Sequence, residues 1–164
     1  YRTRELANAF PDKGFGEQER SLWEGDERWQ GYRELMEKAL TTWDWAESFT
    51  VISLVAKPAI EEAVLARFGD LALVNGDTLL GLLTQAQMRD AERHRRWASA
   101  LVKMALETEG NIDVINRWLE KWVPLADAGI DGFCATFSSD GLEAAAEAKM
   151  AAAKFRTDLG LGAV

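Results

Sequence analysis

Residues 75–110, NGDTLLGLLTQAQMRDAERHRRWASALVKMALETEG, decide the fold. Asn75-Gly76-Asp77 is a turn followed by a capping carboxylate, and it opens a helix running from about Thr78 to Thr108. Within that helix Leu80, Leu83, Gln87, Ala91, His94, Ala98, Leu101 and Ala105 recur at steps of three and four. Side chains at those steps share one face, so the segment has a single stripe to bury. Gly110-Asn111 ends it. β-branched runs and two-residue hairpin signals are scarce elsewhere, so the chain is expected to be all-α.

Working outward, Asp26 is placed to cap a helix from about Glu27 to Leu40. A second helix is expected from about Thr42 through Trp45, Phe49, Ile52 and Ala56, apolar nearly all round and therefore buried. Pro58 either kinks it or lets it restart, because proline has no N–H to give the preceding turn. The continuation Ala59 to Phe68 is more amphipathic. After the long helix, another is expected from about Ile112 to Phe137, interrupted near Pro124. Ser138-Ser139-Asp140-Gly141 forms the last loop, and an alanine-rich helix from Leu142 to about Asp158 closes the domain. Residues 1–16 are expected to be an extended or looped lead-in, with a short helix starting near Glu17.

The 164 residues suit one helical domain with one core. No apolar run reaches the roughly 18–20 residues of a membrane span. A net charge of -8 is a poor surface for gripping phosphate backbones, so neither membrane nor nucleic acid is an expected partner. The single Cys134 excludes an intrachain disulfide and a cysteine zinc site, and it suits a reducing, cytoplasmic location. No phosphate-cradling loop, nucleophile elbow or dinucleotide fingerprint is present.

The single histidine carries more weight than any other count. His94 sits on the apolar stripe between Ala91 and Ala98, with Asp90 four residues earlier as a candidate hydrogen-bond partner. A di-iron carboxylate site in a helical bundle takes a Glu-x-x-His pair from each of two helices and a Glu from each of two others. Here the position three before His94 is Ala91, which offers no donor atom, and no second histidine exists. Glu47 lies in the most apolar helix and needs a partner such as an arginine or a tryptophan N–H. Glu61 and Glu62 follow Pro58, where carboxylates favour a helix start. Arg93 to Arg96 is expected to form an ion-paired surface. Seven tryptophans are many for this length, and Trp23, Trp29, Trp118 and Trp122 are the interface candidates. No catalytic, cofactor-binding or metal-ligating residue is assigned.

Asn75-Gly76-Asp77, Leu79-Leu80, Asp90-Ala91-Glu92-Arg93-His94 and Trp97 resemble the bacterial multicomponent (soluble di-iron) monooxygenases, and more narrowly the β subunit of their hydroxylase component. Ala9 to Gly14, Asp44 to Phe49, Leu54 to Pro58, Ala100 to Val102, Trp118 with Lys121 to Pro124, and Phe155 to Leu161 agree in order and spacing. The resemblance implies a ferritin-like helical bundle without its own metal site, forming the C-terminal portion of a longer subunit. It implies that Ala91 and His94 occupy a vanished ligand pair and that Glu47 marks another vestige. It further implies a catalytic α subunit holding the di-iron centre, with or without a small γ subunit, in an α2β2 or α2β2γ2 hydroxylase. A reductase and an effector protein would act on that complex. The expected substrates are hydrocarbons, oxidised with O2 and NADH-derived electrons, with propane-type enzymes nearest and phenol, toluene, alkene and cyclic-ether enzymes also in view. The contrasting expectations are a self-contained di-iron enzyme, against which the single histidine speaks, and a helical adaptor unrelated to oxygenases.

Overall fold

Three aspartates set the frame of the helices. In a computed structural model that describes residues 2–137 and 140–162, Asp26 Oδ1 accepts from the Arg28 N–H at 3.0 Å. Asp44 Oδ1 accepts from the Glu47 N–H at 2.9 Å, and Asp77 Oδ1 from the Leu80 N–H at 3.1 Å. Each bond satisfies a donor left open in a first turn. The elements are α1 (Arg2–Ala9), a 3-10 turn (Pro11–Lys13), α2 (Glu19–Gly25), α3 (Glu27–Ala39), α4 (Trp45–Thr50), α5 (Lys57–Ile60), α6 (Arg67–Val74), α7 (Thr78–Leu106), α8 (Asn111–Cys134) and α9 (Gly141–Thr157). Two π-helical segments, Val51–Ala56 and Glu61–Ala66, join α4 to α5 and α5 to α6. Among the described residues there is no strand, and no helix is long and apolar enough to cross a membrane.

Three sequence expectations are corrected. Residues 2–9, expected as extended or looped lead-in, form α1. Their Arg, Glu, Leu and Ala content favours helix without help from burial. Pro58 does not restart the helix: Thr50, Ala56, Ile60 and Ala66 all keep right-handed helical dihedrals, so residues 45–74 run as one helix. The wide turn before Pro58, in which the Lys57 N–H reaches back to the Ile52 carbonyl, relaxes the bonding that the proline would otherwise disrupt. Pro124 lies inside an uninterrupted α8. Ser138 and Ser139, expected in the last loop, lie outside the described residues.

The core is contributed by α3, the helix 45–74, α7, α8 and α9, through residues such as Leu35, Leu54, Val102, Leu119, Trp122 and Ile130. α3 and α8 approach most closely, over glycines. A Cβ added at Gly31 would stand 2.5 Å from the backbone of Ala128 and Gly129. One added at Gly129 would stand 2.6 Å from the Tyr32 ring. Tyr32 in turn bonds across to the helix 45–74, its hydroxyl donating to the Ala59 carbonyl at 3.1 Å. α9 buries Ala144, Ala145, Ala148 and Ala152, small side chains that allow a close approach to its neighbours.

Candidate functional site

The stripe of α7 faces the core through Gly81, Thr84, Ala91, Ala98 and Val102. Ala91 is 5% exposed, a methyl group with no donor to offer. His94, one turn on, is half-buried, and its Nε2 is buried without a hydrogen-bond partner among the described residues. Asp90 does not serve it; that carboxylate is exposed and pairs with Arg93. Burial pushes the imidazole pKa down, and the charges of Lys57 and Arg95 push the same way, against Glu61. His94 therefore favours its neutral form.

Glu47 lies elsewhere, at the first turn of α4 rather than in mid-helix. Its Oε1 accepts from Lys121 Nζ at 2.7 Å and from Trp122 Nε1 at 2.8 Å, both on α8. The tryptophan N–H expected as its partner is thus present, with a lysine beside it. Lys121 chiefly, then Trp122, holds the Glu47 carboxyl below the ordinary range, against a partial burial that raises it. The Lys121 ammonium also sits 4.6 Å from the Trp122 ring centroid. A groove of about 640 Å³ opens here, lined by Lys38, Trp43, Glu47, Lys121, Trp122 and Leu125 among others. Ala91 and His94 share α7, whereas Glu47 is bonded to α8; no hydrogen bond or ion pair among the described residues joins the two places.

A third cluster escaped the sequence reading. Glu61 is only 4% exposed, and Arg95 Nε donates to its Oε2 at 2.9 Å. Arg95 Nη2 lies 2.8 Å from both Glu61 Oε2 and Glu62 Oε1. The same guanidinium stands 5.5 Å from the Phe155 ring of α9, so Arg95 ties α7 to the helix 45–74 and to α9. The signal was in the spacing: Arg95 falls four after Ala91 and three before Ala98, on the buried face of α7.

The four tryptophans singled out from sequence divide by burial. Trp122 is 1% exposed and belongs to the core. Trp29 and Trp118 are half-buried against that core, and Trp23 is 38% exposed and meets Trp29 at 6.3 Å between ring centroids. The open aromatic surface is instead Trp43 at 100%, Trp45 at 69% and Trp97 at 56%. Trp45 stacks on Phe49 at 5.8 Å, and Phe49 meets Trp97 edge-on at the same separation.

Among the described residues no three His, Cys, Asp or Glu side chains converge to hold a metal ion. The residues around His94 do not fit a di-iron centre. Ala91 lacks a ligand atom, and Glu61, the carboxylate whose charge reaches His94, is already held by Arg95.

These features define an all-helical chain in which, among the described residues, no set of side chains converges to hold a metal. The chain belongs to the methane/phenol/alkene hydroxylase family, whose model matches residues 1–109. It is 52% identical over 144 residues to the hydroxylase component subunit beta of the toluene-4-monooxygenase system of Ectopseudomonas mendocina, a match covering 88% of this chain and 44% of that protein. A phenol 2-monooxygenase oxygenase component of Pseudomonas sp. (strain CF600) is 30% identical over 119 residues, covering 70% of this chain and 36% of that protein. The fold is similar to that in a structure of toluene 4-monooxygenase with toluene bound in the resting active site. That likeness has a TM-score of 0.81 at 52% identity, over 85% of this chain and 46% of that chain. The chain therefore spans less than half the length of these relatives.

Proposed function

We propose that this chain belongs to the non-catalytic β subunit of a soluble monooxygenase hydroxylase, acting as one helical domain that braces a larger α subunit. The α subunit holds the di-iron centre and carries out the oxidation, with O2 and electrons drawn from NADH through a reductase. The observation that carries this reading is the 52% identity to a hydroxylase subunit beta across 88% of the chain. The absent ligand at Ala91 and the engagement of Glu61 by Arg95 beside His94 agree with it. An aromatic compound is favoured over propane as the substrate of the complex, because the relatives named above belong to toluene and phenol monooxygenase systems. The assembly is read as α2β2, with room for a small γ subunit, in the cytoplasm, and an effector protein regulates it.

Trp23, Trp29 and Trp118 keep open surface and serve as contact residues of that assembly, joined by Trp43, Trp45 and Trp97. Trp122 contributes from inside, fixing Glu47 and Lys121 at the rim of the groove.

The test is affinity purification of the full-length polypeptide from cells that express it natively. The expected result is a larger iron-bearing companion in equal molar amount, with toluene or phenol hydroxylation by the assembly and none by this polypeptide alone. A solitary active polypeptide, or one with no companion, contradicts the reading.

A further inference from the structure

The outer face of α7 is unlike the rest of the molecule. α7 carries five basic residues against Asp90 and Glu92, a formal charge of +3, inside a chain of net charge -8. The other residues therefore carry -11 between them. The positive charge is also focused in direction. Arg95 points inward to Glu61, but Arg89, Arg93 and Arg96 are exposed at steps of four and three, opposite the buried Ala91 and Ala98. With Asp90 and Glu92 between them they rim a depression of about 390 Å³, where the arginines outnumber the carboxylates by one. Arg93 is paired with Asp90, whereas Arg89 and Arg96 form no ion pair among the described residues.

The same face is apolar at intervals. Leu82 is 58%, Trp97 56% and Met104 60% exposed, placed before, beside and after the arginines. Trp97 is backed by Phe49 and so is held in position rather than free to swing. Exposed arginines alternating with an anchored tryptophan and open aliphatic groups are the composition of a protein contact, since Arg, Trp and Met are enriched there. Nucleic acid is disfavoured by the -11 carried on all other surfaces, which would repel a phosphate chain over any length beyond this helix.

We propose that the outer face of α7 is a docking surface for an acidic protein face with an apolar centre, carried by the companion subunit of the hydroxylase. The partner's carboxylates meet Arg89, Arg93 and Arg96, and its aliphatic side chains cover Trp97 and Met104. This rests on the function proposed above.

The experiment uses full-length polypeptide and measures equilibrium binding of its purified companion at low and high salt. Arg89→Glu/Arg93→Glu/Arg96→Glu should bind about a hundredfold more weakly, while its circular dichroism and thermal midpoint stay close to wild type. Replacement of the three arginines by lysine should recover most of the loss. A control variant, Lys13→Glu/Lys154→Glu, reverses exposed cations outside α7 and should bind within about twofold of wild type. Wild-type binding should weaken as salt rises. Companion binding unchanged by the triple reversal overturns the proposal and leaves the function standing, as does an equal loss in the control variant. A wild-type chain that binds no companion overturns both. A mobility shift of duplex DNA by the wild type, lost in the triple variant, assigns the face to nucleic acid and overturns it as well.

Discussion

Arg95→Met is the perturbation that examines the interior of this bundle most closely. Methionine keeps much of the arginine's volume and apolar contact but removes the guanidinium. What remains is the Glu61 carboxylate, 4% exposed, stripped of a hydrogen bond of 2.9 Å and a second ion contact of 2.8 Å. Breaking one side of a buried pair costs about 3–5 kcal/mol, because the abandoned charge has no water to turn to. The Arg95 side chain is 21% exposed and that of Glu62 20%, so some solvent reaches this pair and the lower end applies, about 3 kcal/mol. For a chain of this size that is a fall of about 6–12 °C in thermal midpoint. The companion variant Arg95→Met/Glu61→Gln removes the stranded charge and should regain at least half the loss, giving a coupling of about 1.5 kcal/mol or more in a double-mutant cycle. Urea unfolding of the four proteins reads these values directly. A loss below about 1 kcal/mol for Arg95→Met, or strict additivity of the two substitutions, refutes the clamp.

Three further outcomes follow from the same geometry. Gly31→Ala should destabilise by about 1–2 kcal/mol, since its Cβ would meet α8 backbone at 2.5 Å and overpacking outweighs the gain in helix propensity; Gly25→Ala, with nothing within 4 Å, should be neutral or slightly stabilising, both read by urea unfolding. Because the His94 pKa is pushed below its ordinary 6.5, the unfolded chain takes up that proton first, so wild-type stability should decline as pH falls through 6.5 and His94→Leu should flatten that part of the profile. The carboxyl of Glu47 is shifted down from 4.5, so its contribution is present above that pH and is lost as pH falls toward its folded value; Glu47→Gln should remove this acid-side loss and weaken the protein at neutral pH, read by denaturant midpoints across pH 3–7.

Much of the frame was legible because it rests on local chemistry. Asp26 and Asp77 announce helix starts through the one bond each makes to its own first turn, and the stripe of α7 follows from three- and four-residue spacing. The demand that Glu47 find a tryptophan N–H was also readable, since a partly buried carboxylate must be met by a donor. A restart at Pro58 and an interruption at Pro124 follow from a local rule, but packing decides at both. A wide turn accommodates Pro58, and the surrounding core holds α8 together through Pro124. Arg95 was hidden by its neighbours: in a run of three arginines and a histidine, sequence order suggests a surface block, while helical phase sends only one guanidinium inward. The tryptophans show the remaining limit. Trp122 and Trp43 are the same residue type on helical or near-helical segments, and only tertiary contact makes one 1% and the other 100% exposed.

The claim beneath all of this is that oxidation chemistry resides in a companion chain. Iron determination on the full-length polypeptide, separated from its companion under non-denaturing conditions and offered ferrous iron, tests it most directly. Far less than one iron per polypeptide is expected here, and two per companion subunit. Two irons retained by this polypeptide, with the spectroscopic coupling of a bridged pair, would contradict it.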